Sequence, residues 1–170
     1  MGLFDRLFGP REDEHAPARP LWQAVVAEAR RLRWYAELGV ADSVPGRFDA
    51  VALVLAMVLQ RMERDPALGR NAQLLTELFI RDMDGQLRET GLGDMVVGKH
   101  VGKLMGALGG RKAAITAALT GSEPLEDALG RNMTLIDGAD LPALAAETRA
   151  LAARLAATDD ADLLAGRFAA

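Results

Sequence analysis

Asp82, Asp84 and Glu89, followed by His100, are the residue types that general acid–base work or a metal site would draw on. Their setting argues against both. A carboxylate-bridged di-iron bundle uses paired Glu-x-x-His motifs, and the chain has none; its only histidines are His15 and His100. The absence of cysteine removes disulfides, thiolate catalysis and Cys-based zinc sites. The run Gly98-Lys99-His100-Val101-Gly102-Lys103-Leu104 has the composition of a phosphate loop, but the glycine-to-lysine spacing is wrong and Leu104 stands where the magnesium-binding hydroxyl belongs. No basic–aromatic interleaving of the kind that stacks RNA bases occurs, and a net charge of −4 gives no general attraction to DNA. No cofactor, metal or catalytic residue is expected. An enzyme using His100 with the Asp82 and Asp84 carboxylates is the reading of a different class.

The same stretch, Leu74 to Lys112, reads better as a contact surface. Gly98, Gly102 and Gly106 fall four apart, on one stripe of a helix, where a second helix can approach closely. Lys99 and Lys103 lie on the adjacent stripe, and Arg111 and Lys112 follow. Upstream, Glu77 precedes Arg81 by four residues and Asp84 precedes Arg88 by four, the favourable acid-before-base order on a helix. Gly91-Leu92-Gly93 ends that helix, and Asp94 is placed to cap the next. The surface expected to meet a partner therefore comprises Arg81, Asp82, Asp84, Arg88, Asp94, Gly98, Lys99, Gly102, Lys103, Arg111 and Lys112. The plainer alternative is internal helix packing with solvated lysines.

The elements that must hold this surface are helical. Half of the 170 residues are hydrophobic, mostly Ala and Leu, and only 5% are aromatic. Leu21 to Leu38 carries an apolar face and a basic cluster, Arg30, Arg31 and Arg33, with Gly39 as its stop. Phe48 to Arg64 is apolar nearly all round, which suits the centre of a bundle. Ala67 to Thr90 follows, with Gly85 suggesting a kink or a close approach. Further helices are expected over Ala113–Leu119, Pro124–Leu135 and Pro142–Leu155, and a terminal turn over Asp159–Phe168. The expected fold is an all-α, single-domain helical bundle of about six or seven helices spanning residues 21–170. Residues 1–20 are expected to be an amphipathic segment and a linker. In the first of these, Leu3, Phe4, Leu7 and Phe8 share a face that could touch a membrane surface or a partner.

Charge is uneven along the chain. Residues 1–119 carry 16 basic and 15 acidic side chains, a net of +1, and residues 120–170 carry 4 and 9, a net of −5. The longest apolar run, Ala50 to Leu59, is about half of the roughly 20 residues a membrane-spanning helix needs. No signal-peptide pattern opens the chain, so a cytoplasmic location is expected, with peripheral contact to the inner membrane through the first residues.

Several short motifs, in order, resemble the ubiquinol–cytochrome c chaperone family. They are Tyr35-x-x-x-Gly39, Gly46-Arg47-Phe48-Asp49, Phe79-x-Arg81-Asp82-Met83-Asp84, Leu87-Arg88-Glu89-x-Gly91-x-Gly93-Asp94, Lys99 and Gly110-Arg111. The resemblance covers Trp34 to Leu119. It implies a helical, non-enzymatic assembly factor for the cytochrome bc1 complex, acting by binding and release. It implies newly made cytochrome b or a bc1 assembly intermediate as client, with the ribosome and a small partner protein as associates of mitochondrial members. The chain looks like a bacterial relative. A membrane-surface adaptor without a cytochrome b client is the alternative within the same fold.

Overall fold

A computed structural model describes residues 13–89 and 97–168. Among these residues the fold is all-α. Six longer helices are α1 (Arg19–Ala29), α3 (Val44–Met62), α4 (Gly69–Glu89), α5 (Val97–Leu119), α6 (Leu125–Asn132) and α7 (Leu141–Ala157). Two five-residue helices, α2 (Leu32–Ala36) and α8 (Asp160–Leu164), complete the set. The only β-type pairing among the described residues is an isolated antiparallel bridge between Val40 and Leu135.

Helix α3 is the axis. Ser43 caps it by accepting from the Gly46 amide at 3.2 Å, and Pro45 sits in its first turn, where the missing N–H is harmless. Every residue from Asp49 to Leu59 is buried. Such a helix cannot face water on any side, and α1, α5, α7 and α4 pack around it. Phe79 of α4 joins the core by stacking edge-on to Trp22 and tilted against Phe48, with centroids 6.2 and 6.0 Å away.

The first expected helix is broken. Instead of running to Leu38, α1 ends at Ala29 and the chain extends at Arg31 (ψ 130°) before α2. Burial of two aromatics explains the turn. Trp34, 2% exposed, donates its indole N–H to the Glu28 carbonyl at 2.9 Å, and the Tyr35 hydroxyl donates to the Ala29 carbonyl at 2.7 Å. The last carbonyls of α1 are thus satisfied by side chains of the next helix, which a continuous helix could not provide. Burial pushes the Tyr35 phenol up. The neighbouring arginines are not simply solvated. Arg31 pairs with the buried Glu28 carboxylate at 3.3 Å, Arg33 with Glu147 of α7 at 2.6 Å, and Arg154 bridges both acids.

Helix α5 also departs from expectation, running unbroken through Gly109-Gly110 and absorbing the separate helix expected from Ala113. Leu104, Leu108, Arg111, Ile115 and Ala118 are buried at alternating four- and three-residue spacing. One continuous stripe packed on α3 offsets the helix-weakening glycines, each costing about 1 kcal/mol relative to Ala. Gly85 makes no close approach: open space surrounds the position of a Cβ, and α4 is one helix.

The stretch expected to be a linker is structured from residue 13. Ala18 is buried and the His15 ring meets Glu77 of α4 at 3.0 Å. At the other end, Asp140 caps α7 by accepting from the Ala143 amide at 2.9 Å. Asp140→Ala is expected to cost about 1 kcal/mol, read as a lower urea midpoint with an unchanged slope.

Candidate functional site

The outer face of α5 is the most unusual surface. Because the buried stripe of α5 faces α3, the residues between its members point away from the core. Gly102, Gly106, Gly109 and Gly110 are exposed, and a Cβ built on any of them would meet nothing within 4 Å. Met105 lies among them and is 42% exposed. Among the described residues, then, nothing packs on Gly102, Gly106, Gly109 or Gly110. Beside it runs an open groove of about 390 Å³, walled by Gly106, Ala107 and Gly110 and by Arg131, Asn132 and Met133 at the end of α6.

Arg111, expected on this surface, is turned inward and 9% exposed. Its Nη2 donates to Asp49 Oδ1 at 2.6 Å and to the Asn132 carbonyl at 2.7 Å, and its Nε donates to the same carbonyl at 3.0 Å. The Asp49 Oδ2 accepts from the Thr134 amide at 2.8 Å and its hydroxyl at 2.6 Å. The centre of the Phe48 ring lies 5.8 Å from the guanidinium carbon, a cation–π contact, and Nη1 has no hydrogen-bond partner among the described residues. This junction ties α3, α5 and the end of α6 together. It is structural, because the Arg111 Nε and Nη2 donors and both Asp49 oxygens are taken up by the protein itself.

The other expected surface residues divide. Lys112 is half-buried and pairs with Glu63. Asp82 accepts the Trp22 indole N–H at 2.6 Å, which anchors α1 to α4. Arg81 is exposed, and Asp84 is half-buried. Leu3, Phe4, Leu7, Phe8 and Asp94 lie outside the described residues, as do the side chains of Arg88, Lys99, His100 and Lys103 and the surroundings of Gly98. Among the described residues no group of three or more His, Asp or Glu side chains is placed to hold a metal ion. No helix among them is long and apolar enough to cross a membrane.

The Asp49–Arg111 pair escaped the sequence reading. Its signal was there: a lone carboxylate at position 49 on a helix apolar all round must find a partner. What sequence could not supply was which cation, since the two are far apart in the chain.

Three of the motifs that carried the resemblance, those of Gly46–Asp49, Phe79 and Arg111, meet at this junction. Phe48 and Asp49 contact Arg111, Phe48 contacts Phe79, and Gly46 fits under the Ala41 carbonyl. The family profile described as ubiquinol-cytochrome C chaperone matches residues 36–170. The chain belongs to the ubiquinol–cytochrome c chaperone family. The match extends well beyond the Trp34–Leu119 stretch where the resemblance was read, so α6, α7 and α8 are part of the family unit. Among solved structures, the crystal structure of the Cbp3 homolog from Brucella abortus superposes with a TM-score of 0.79 at 32% sequence identity. That match covers 96% of this chain and 94% of the other. No curated protein sequence matches the chain.

Proposed function

We propose that this chaperone-family protein binds newly made cytochrome b and assists its assembly into the ubiquinol–cytochrome c reductase (bc1) complex. It acts by binding and release, with no bond chemistry. The client-facing surface is the outer face of α5, with the exposed part of α4 around Arg81 beside it. Arg111 supports that face from beneath and does not touch the client. The single observation that carries this reading is the exposed glycine stripe, on which nothing among the described residues is packed. A membrane protein's helix presents an apolar surface of small and large side chains, and a glycine face lets a helix backbone come close. Met105 adds a flexible apolar contact.

The test separates folding from binding. Gly106→Ala and Gly110→Ala are each expected to stabilise the fold by roughly 0.5–1 kcal/mol, because a helix-interior glycine is replaced where a methyl has room. Gly106→Leu and Gly110→Leu would leave the fold intact and block close approach. Tagged protein pulled down from membranes of its own cell should enrich cytochrome b, and the leucine variants should lose most of it. Undiminished capture by the leucine variants would remove α5 as the contact face. Enrichment of other membrane components without cytochrome b would instead favour the membrane-adaptor reading.

A further inference from the structure

A second concavity lies away from the α5 groove and has a different chemistry. The ends of α3 and α5 and one face of α7 enclose a cleft of about 300 Å³. Its apolar part is Met57, Leu119 and Leu155, and its polar wall carries three arginines, Arg61, Arg64 and Arg149. Among the described residues, none that lines it is acidic.

The three guanidiniums are not equivalent. Arg61 is rigidly held, 13% exposed, donating from Nε to the Leu155 carbonyl at 3.2 Å and from Nη2 to the Thr158 carbonyl at 2.9 Å and to Asp160 at 2.7 Å. These bonds leave its Nη1 unused. Arg149 is 53% exposed and reaches Glu126 only at 3.3 Å, both nitrogens sharing one carboxylate oxygen. Arg64 is exposed and has no acidic partner among the described residues. Its neighbour Glu63 is taken by Lys112. Asp160 and Glu126 therefore answer two of the three cations, and one positive charge is left over beside an apolar floor.

We infer that this cleft is a binding site for a singly charged oxyanion, a phosphodiester or a carboxylate, carried on a short apolar body. The excess charge sets the ligand's charge. Guanidinium forks favour planar or tetrahedral oxyanions, with the unpaired fork of Arg64 available for bidentate contact and Arg149 adding charge beside it. The floor sets the apolar part, and the volume fits a small ligand or the first part of a lipid but not a protein helix. The inference is independent of cytochrome b binding, since its test uses no client.

The experiment is a calorimetric titration of the full chain with four probes: monomeric dihexanoyl phosphatidylglycerol, decanoate, inorganic phosphate, and dihexanoyl phosphatidylcholine. Phosphatidylglycerol is expected to bind, with Arg64→Gln weakening it roughly tenfold or more, the usual loss for one charge-assisted hydrogen bond. The Arg64→Gln/Arg149→Gln double variant should lose binding further. Both side chains are exposed, so the fold should hold, and a melting curve checks it. Binding of decanoate with the same Arg64 dependence would support the site and assign it to carboxylates. Inorganic phosphate binding as tightly as phosphatidylglycerol would overturn the apolar half of the inference. Equal binding of phosphatidylcholine, binding unchanged in the double variant, or no binding of either amphiphile would overturn the whole.

Discussion

Asp49→Ala is expected to destabilise the protein by about 3–5 kcal/mol, the cost of leaving one member of a buried ion pair without its counter-charge. Asp49 and Arg111 are 8% and 9% exposed. Removing the carboxylate leaves the Arg111 guanidinium without its counter-charge and the Thr134 amide and hydroxyl without their acceptor. The effect should appear as a lower denaturant midpoint with the slope preserved. Asp49→Leu combined with Arg111→Met should cost less than Asp49→Ala alone, because no buried charge is then left unpaired. A loss below about 1 kcal/mol for Asp49→Ala would contradict the buried-pair account. The same reasoning governs how client-binding defects at Arg111 are read. A variant there that fails in the proposed cytochrome b capture must first be shown to be folded.

Gly46→Ala comes next. A Cβ at this position would lie 2.0 Å from the Ala41 carbonyl oxygen and 2.9 Å from its carbon. Neither side can yield. Gly46 is in the first turn of α3, held by the Ser43 cap, and Ala41 is pinned from the other side, its amide donating to the Thr134 carbonyl at 2.9 Å. The expected cost is about 3 kcal/mol, the upper part of the range for overpacking. For a chain of this size that lowers the melting temperature by roughly 6–12 °C. Gly106→Ala serves as the opposite control, since the same chemical change there meets open space. If the two variants melted together, the close approach at Gly46 would be refuted.

These predictions share a site. Gly46, Phe48, Asp49 and Arg111 are residues by which the family is recognisable, and in the fold they form one structural junction rather than an exposed contact patch. The family's signature is therefore written partly in residues that build the platform. The face that platform presents, α5 with its glycines, is marked in sequence only by spacing. Glycines at 98, 102 and 106 read equally well as an internal packing seam or as an external one. Only the placement of Leu104, Leu108, Ile115 and Ala118 against α3 decides that Gly102 and Gly106 face outward.

The sequence by itself determined the class of fold, because apolar residues at helical spacing have no other way to be buried. It determined that α3 is central, since its apolar character runs round the whole cylinder. It also carried the family, through motifs whose order and spacing survive without any knowledge of their contacts. The tertiary structure decided what no local pattern holds. It ended α1 at Ala29, because burying Trp34 outweighs one more turn of helix. It turned Arg111 inward to Asp49 and drew Arg31 and Arg33 into pairs with Glu28 and Glu147. It also gathered Arg61, Arg64 and Arg149 around one cleft. A charged residue's role depends on which opposite charge the fold brings within hydrogen-bond reach. That distance is set by the packing of helices far apart in the chain, not by the neighbours of either residue.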